Sequence, residues 1–225
     1  MSCQRCIAGA FIALLVGMGS SACRAAPILD LYNTGVNSSG VTLGNLAVDP
    51  HYVVTVSPIG AGSSFIVNPG GFPIPPWVAN TPGAGGSMWI SGPGTLITQP
   101  NGEYLYQTTF TIGAGFDPAT ALITGQLTAD DRVSVDLNSV PVVGLTPDQG
   151  YGAFTPFSIN SNFISGVNTL TFHVFNTHSS VTGLRVEMSG TVQPAAVPEP
   201  ATALLAGLGL LGAVLHVRRR RRLAA

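Results

Sequence analysis

The sequence predicts an all-β protein in which residues 27–192 form a β-sandwich. Three observations predict this fold class: segments of alternating apolar and polar residues, turn-forming residues between them, and no long helical period in this range. The chain of 225 residues contains 28 glycines and 17 prolines, and only 8% of its residues are charged. This composition favours short strands joined by turns, and the length indicates one principal domain with targeting segments.

Four segments show the clearest alternation of apolar and polar residues. A strand with this period of two buries one face and exposes the other. In the last of the four, the polar face contains Arg185, Glu187 and Ser189. The four segments cover residues 104–112, 132–138, 169–174 and 184–189, and weaker strand candidates cover residues 51–57, 63–67, 87–91, 120–129 and 154–159.

Residues 60–94 are unusually rich in proline and glycine, which predicts a long ordered loop over one end of the sandwich. Both tryptophans of the chain lie in this region. Trp89 stands between Met88 and Ile90 in a strand candidate, so we expect it in the core. Trp77 follows two prolines in the loop, where an exposed aromatic face would stack on a sugar ring. It is therefore the candidate glycan-binding residue.

Asp130 and Asp131 are adjacent carboxylates at the start of a predicted strand, and they are the candidate metal ligands. Calcium prefers oxygen ligands, so one aspartate would bind the ion while the other caps the turn; the alternative is a solvated turn. No other cofactor is predicted. The histidines of the body, His51, His173 and His178, are interpreted as surface residues because no third ligand for a zinc pair is evident.

The charges are distributed unevenly along the chain. Seven of the nine arginines lie in the terminal segments, whereas residues 27–197 contain nine carboxylates and two arginines, a net charge of about −7. This acidic body argues against nucleic-acid binding, which needs a basic surface. All three cysteines precede residue 26, so we expect neither an internal disulfide nor a cysteine-based site in the body.

Residues 1–26 have the three parts of a secretory signal peptide. Arg5 provides the positive n-region, residues 7–18 form an apolar stretch of suitable length, and small residues follow. Cleavage after Ala22 fits the small-x-small preference best, and Ala25 is the second choice. We therefore expect the body to be exported.

Residues 201–217 are apolar and would form a helix about 25 Å long, which makes a marginal transmembrane span. Five arginines follow directly and would stop transfer through the membrane. By the positive-inside rule they remain in the cytoplasm, so the body lies across the inner membrane, as the signal peptide also predicts. These arginines are Arg218, Arg219, Arg220, Arg221 and Arg222.

Pro198, Glu199 and Pro200 end a linker of residues 193–200, directly before the apolar and basic segment of residues 201–225. The prolines keep this sequence extended and accessible. Together these features resemble a PEP-CTERM sorting domain. The resemblance implies a Gram-negative bacterium that makes extracellular polysaccharide, and processing by an exosortase near the Pro-Glu-Pro sequence. It also implies transient anchoring in the inner membrane, followed by the cell surface or extracellular matrix.

Residues 103–190 contain a strand that follows the aspartate pair, then a hairpin, a Gly-x-Asn-x-Leu turn and two final strands. This order resembles the jelly-roll of galactose-binding-like domains. The resemblance implies a β-sandwich of a kind that often binds glycans and is purely structural in other proteins.

Three hypotheses of function remain open from the sequence. The preferred one is a non-catalytic surface or matrix protein with an adhesive or structural role and extracellular polysaccharide as its partner. The second is a glycan-active enzyme or its accessory subunit, although the sequence lacks G-x-S-x-G, H-E-x-x-H and P-loop motifs. The third is a periplasmic protein that its tail anchors permanently.

Overall fold

A computed structural model describes residues 24–67, 72–94, 98–196, 207–210, 213, 216 and 219. The predicted signal peptide lies almost entirely outside the described residues. The same is true of Pro198, Glu199 and Pro200, and of every arginine of the basic cluster except Arg219.

Eleven strands form the described body, and all of their pairings are antiparallel. The strands are β1 (Ala26–Pro27), β2 (Val48–Val56), β3 (Gly62–Ile66), β4 (Ile90–Ser91), β5 (Gly102–Ile112), β6 (Phe116–Asp130), β7 (Arg132–Leu137), β8 (Val140–Val143), β9 (Thr155–Ile159), β10 (Gly166–Asn176) and β11 (Gly183–Pro194).

The strands hydrogen-bond in the order β8-β7-β10-β5-β2-β3-β4-β11-β6-β9, and β1 pairs with the end of β11. One layer contains β7, β10 and β5, and the other contains β11 and β6, with β3 and β4 joining the two layers. Side chains from both layers meet in a single hydrophobic core. The predicted all-β sandwich is therefore confirmed.

The core follows from the alternation that is visible in the sequence. In β5 the buried side chains are Tyr104, Tyr106, Thr108, Phe110 and Ile112, while the residues between them are exposed or half-buried. Strands β7 and β10 repeat this pattern, and Tyr52 of β2 packs against Phe172 of β10 with ring centroids 6.0 Å apart. The period of two thus predicted which faces of these strands are buried.

The structure differs from the sequence prediction mainly at short elements. Strands β1 and β8 were not predicted, and the candidate strand at residues 87–91 contains only the two-residue β4. Strand β6 begins four residues earlier than predicted, at Phe116. Strands β1, β4 and β8 pair only at a sheet edge or over few residues, so they leave little periodic signal in the sequence.

The proline- and glycine-rich segment of residues 60–94 has its own small hydrophobic cluster beside the main core. Trp89 is fully buried there, as predicted, and Val67 and Trp77 pack with it. The Trp89 indole Nε1 donates a hydrogen bond to the Val78 carbonyl oxygen at 2.7 Å. The Asn80 side chain accepts one from the Trp89 backbone N–H at 2.8 Å. Residues 72–89 of this segment therefore form a cover over the sheet, whereas β3 and β4, which the sequence placed in the loop region, are part of the sheet itself.

Arg185 is fully buried on β11, although the alternation placed it on a polar face. The cover explains the difference, because its polar groups surround the guanidinium. Arg185 donates hydrogen bonds to the Ala79 carbonyl oxygen, to the Ser87 hydroxyl at 2.6 Å and to the Thr81 hydroxyl at 2.6 Å. It also pairs with the Glu187 carboxylate at 3.0 Å. A buried charge is tolerated only when it is paired in this way.

In the described part of the C-terminal segment, residues 207–210, 213, 216 and 219 are helical and exposed. No helix within the described residues is long and apolar enough to cross a membrane. Most of the predicted span at residues 201–217 lies outside those residues, so the transmembrane helix stays a prediction.

Replacing Arg185 with methionine tests whether the buried guanidinium holds the cover on the sheet. Methionine keeps an unbranched apolar stem but is shorter and uncharged, so it leaves Glu187 and the carbonyl of Ala79 without their cationic partner. We expect Arg185→Met to lower the free energy of unfolding by roughly 3 kcal/mol, measured by urea denaturation. Ser189→Ala, at an exposed position of the same strand, is the control and should have little effect. Equal stability of Arg185→Met and wild type would contradict this role.

Candidate functional site

A cavity of about 300 Å³ lies at the end of the sandwich where β6 passes into β7 and where β10 passes into β11. Its walls come from four segments that are distant in sequence: residues 72–77 of the cover, the aspartates at 130–131, the turn at 149–151 and the loop at 178–181. The β6–β7 connection, the β10–β11 loop and the cover thus meet at the cavity, and no single segment of the sequence predicts this meeting.

One wall of the cavity is aromatic. The Trp77 ring packs 4.4 Å from the Trp89 ring, 5.6 Å from Phe72 in an edge contact and 6.1 Å from Tyr151 in a stacked arrangement, measured between centroids. The Val78 backbone N–H donates to the Tyr151 carbonyl oxygen at 2.8 Å, so the turn and the cover are joined. Phe72 and Tyr151 remain half-buried and face the cavity with Trp77.

The cavity is also lined by Asp130 and Asp131, whose side chains hydrogen-bond to each other. Both residues are buried, at 6% and 4% exposure. Asp131 accepts hydrogen bonds from the backbone N–H of Thr177 at 2.8 Å and from the Thr177 hydroxyl. The Thr182 hydroxyl donates to the Asp130 carbonyl oxygen. The loop after β10 therefore holds the carboxyl pair in place.

The two carboxyl groups differ in protonation because their surroundings differ. Burial raises the pKa of Asp130 to about 8, and the hydrogen bond and negative charge of Asp131 add to this effect. Burial also opposes ionisation of Asp131, but the hydrogen bonds from Asp130 and Thr177 outweigh it and hold the pKa of Asp131 below its usual range. At neutral pH the pair therefore holds one proton and one negative charge.

The structure brings two of the predicted site features together. Trp77 and the Asp130–Asp131 pair lie in one cavity, although more than fifty residues separate them in the sequence. Trp77 is only 8% exposed, however, so the expectation of an open ring face in a loop is wrong. The ring is covered because it packs on Trp89. Its part in glycan binding stays a prediction.

The three histidines of the body have different surroundings. His178 is at the rim of the cavity, 73% exposed, with its Nδ1 3.7 Å from an Asp131 oxygen. His173 lies on the outer face of β10 between Glu103 at 2.7 Å and Asp136 at 3.3 Å. The His51 ring stacks on Tyr32 with centroids 3.6 Å apart. The three rings therefore belong to separate sites.

Tyr151 is a wall residue that sequence analysis did not single out. It lies in a short 3₁₀ turn at Gly150–Gly152, and no motif or alternation marks that turn as functional.

For calcium, the described residues contain no group of three or more histidine, cysteine, aspartate or glutamate side chains that could hold a metal ion. Calcium binding by Asp130 and Asp131 stays a prediction.

The strands and the cavity define the class of protein: an all-β sandwich with a cavity at one end. The C-terminal part is identified separately, because residues 196–221 match the family model described as the PEP-CTERM protein-sorting motif. The chain therefore carries this sorting signal, as the sequence predicted, and the signal implies export. No curated protein matches the chain.

Twelve solved chains are similar to this one. A family 35 carbohydrate binding module from an environmental isolate has 12% identity and a TM-score of 0.30, covering 54% of this chain and 85% of its own. The CBM36-1 domain of a xylanase from the hindgut metagenome of Trinervitermes trinervoides has 12% identity and a TM-score of 0.26, covering 77% and 98%.

The isomalto-dextranase of Arthrobacter globiformis T6, complexed with panose, has 10% identity and a TM-score of 0.32. The matched region covers 68% of this chain and 23% of the enzyme. Because all of these TM-scores are below 0.5, the fold is assigned from the strands and their pairing and not from these structures.

The shared proton predicts how stability depends on pH. The folded state binds a proton at Asp130 up to about pH 8, whereas the unfolded chain releases it near pH 4. This contribution to stability is therefore complete below about pH 4 and is lost as the pH rises to about 8. Asp130→Asn keeps the shape of the protonated acid and removes the ionisation.

We expect the melting temperature of Asp130→Asn, relative to that of wild type, to increase between pH 5 and pH 8. Differential scanning calorimetry at four pH values in this range measures it. Asp117→Asn, at the other end of β6, removes a carboxylate that is far from the pair and should leave the difference from wild type constant. A constant difference for Asp130→Asn as well would mean that Asp130 is ionised in the folded protein.

Proposed function

We propose that this chain is an exosortase-sorted surface or matrix protein whose non-catalytic sandwich binds saccharides in the cavity of Trp77, Tyr151, Asp130 and Asp131. The sorting motif supports the first part of the proposal, and the chemistry of the cavity supports the second. After processing, the protein would lie at the cell surface or in the extracellular polysaccharide.

The observation that carries the proposal is the position of the cavity relative to the sorting signal. Strand β11 begins beside the cavity, where Gly183 pairs with Asp130, and it ends at Pro194, two residues before the matched motif. Its length separates the two ends by roughly 35 Å, at about 3.3 Å per residue. While the tail is held in the membrane, the cavity can thus point away from the bilayer toward external ligands.

The cavity has the chemistry that a sugar ring requires. The apolar face of the ring would pack on the aromatic wall, and its hydroxyl groups would donate hydrogen bonds to the aspartates. A volume of about 300 Å³ is at the lower end of the range for small-molecule sites, so it suits one or two sugar units. An aromatic wall and a carboxyl pair in one cavity support saccharides over purely apolar ligands.

A glycosidase would hold its two carboxyl groups roughly 5–10 Å apart on either side of the scissile bond. Asp130 and Asp131 instead hydrogen-bond to each other, which leaves no room for a glycosidic bond between them. This arrangement favours binding over hydrolysis at the cavity.

A permanently anchored periplasmic protein is the remaining alternative, and it differs from the sorted form in retaining the basic tail.

Intact-mass analysis of the cell-surface fraction tests the sorting step. We expect a mass without the apolar segment and the arginine cluster, because exosortase processing would remove the chain after the Pro-Glu-Pro sequence. The Glu199→Ala variant should accumulate in the membrane fraction with its tail. A surface-exposed wild-type protein that retains all five arginines would instead support permanent anchoring.

Glycan-array binding, followed by calorimetry with the best ligand, tests the cavity. We expect Tyr151→Ala to weaken binding about fivefold, the equivalent of roughly 1 kcal/mol for one aromatic contact. Trp77→Phe should weaken it to a similar degree while preserving the packing against Trp89. Tyr32→Ala, a matched change outside the cavity, should bind as wild type. The proposal fails if no glycan binds, or if both cavity variants bind as tightly as wild type.

A further inference from the structure

We propose that the cavity selects cationic saccharides, namely oligomers that contain unacetylated amino sugars, whose ammonium group binds against the carboxyl groups of both Asp130 and Asp131 from the cavity side. This inference rests on the proposed saccharide binding and specifies the class of ligand. The charge around the cavity, its aromatic wall and the limited number of ligating oxygens support it.

The charges around the cavity favour a positive ligand. Asp130 and Asp131 face it, and of the described residues that line it, none is arginine or lysine. The guanidinium of Arg132, the residue after Asp131, already pairs with Asp148 at 3.4 Å. A carboxylate or sulfate group on a saccharide would therefore meet negative charge without a compensating cation. An ammonium group would meet an opposite charge.

The aromatic wall also suits an ammonium group. Trp77, Tyr151 and Phe72 line the cavity that contains the carboxyl pair, and aromatic faces attract cations within about 6 Å. An ammonium group beside a carboxylate and an aromatic face gains from both contacts, whereas an acetamido group offers only one neutral N–H donor to them. The cavity thus distinguishes the two forms of an amino sugar.

The carboxyl pair suits an ammonium group better than a metal ion. Calcium requires six to eight oxygen ligands, and no third acidic or histidine side chain completes a group with these aspartates among the described residues. An ammonium group has three N–H donors, so two of them can reach the two carboxylates and one remains for a carbonyl or water. Two charge-assisted hydrogen bonds would fix its position.

Ammonium binding changes the protonation of the pair. In the free cavity, Asp130 donates its proton to Asp131; in the complex, the ammonium donates to both carboxylates, and the Asp130 proton leaves to solvent. One O–H bond breaks, no covalent bond forms with the sugar, and the ammonium keeps its own protons. A neutral sugar would leave the Asp130 proton in place. Release of about one proton is therefore specific to the cationic ligand.

Other titratable groups also face the pair and limit the pH range of the test. His178, on the loop after β10, lies 3.7 Å from Asp131. The negative charge of Asp148, between β8 and β9, helps to raise the pKa of Asp130, and Tyr151 is part of the cavity wall. Arg132 holds Asp148. A comparison of two ligands at one pH keeps these contributions equal, so we choose pH 6, where the amino sugar is an ammonium ion.

The test is calorimetric titration of the full-length protein, solubilised in detergent, with two probes at pH 6. The probes are the fully deacetylated glucosamine trimer and the N-acetylglucosamine trimer. We expect the deacetylated trimer to bind about tenfold more tightly or better, which corresponds to one hydrogen bond to a charged group. Titrations in two buffers that differ in ionisation enthalpy should show the release of about one proton per complex with this probe alone.

The Asp130→Asn variant keeps the shape of the protonated pair but cannot release that proton. The ratio of the two affinities should fall toward one in this variant, whereas Asp117→Asn, the same substitution at the far end of β6, should keep the wild-type ratio. Equal affinity of wild type for both trimers, or a preference for a galacturonic acid trimer, would overturn the selectivity and leave saccharide binding intact. Binding of no oligomer would overturn both proposals.

Discussion

The buried guanidinium of Arg185 fixes the cover to the sandwich, and the cavity depends on that attachment. The cover has few regular hydrogen bonds of its own, so it needs partners in the sheet. Arg185 supplies donors to Ala79, Thr81 and Ser87 at once, while Glu187 neutralises its charge and accepts a further hydrogen bond from Gln126 of β6. One side chain of β11 therefore joins the cover to both central strands of its layer.

The attachment of the cover through Arg185 explains why the aromatic wall and the carboxyl pair line the same cavity. The same cover that binds Arg185 places Trp77 on Trp89, and its Val78 N–H binds the turn that holds Tyr151. The aspartates are fixed independently, by Thr177 and Thr182 in the loop after β10. Two carboxyl groups repel each other when both are ionised, so their contact is retained only because one holds a proton. The electrostatic repulsion between the two carboxyl groups is thus relieved by the proton that they share.

The sequence predicts those parts of the molecule that depend on local period and composition. Alternation along β5 identified its buried face correctly because each residue's neighbours on the strand determine its side of the sheet. Arg185 was placed on the wrong kind of surface because the groups that bury it lie about one hundred residues earlier in the chain. The role of Tyr151 and the proximity of Trp77 to Asp130 were missed for the same reason, because contacts between distant segments leave no periodic signal in the sequence. The sorting motif was identified because its three parts are contiguous.

The pairing at the far end of β11 separates the cavity from the sorting motif, so the proposed binding would be independent of sorting. Ala26 pairs with Val192, and the Ala195 N–H donates to the Gly115 carbonyl oxygen at 2.8 Å, so the sheet is closed on both sides just before the motif begins. Among the described residues, none of the hydrogen bonds that hold the cover, the aspartates or the turn of Tyr151 involves the chain beyond this point. The cavity should consequently have the same geometry in the anchored and the released forms. A ligand bound before processing would then remain bound after it, because the strand between the two ends does not change.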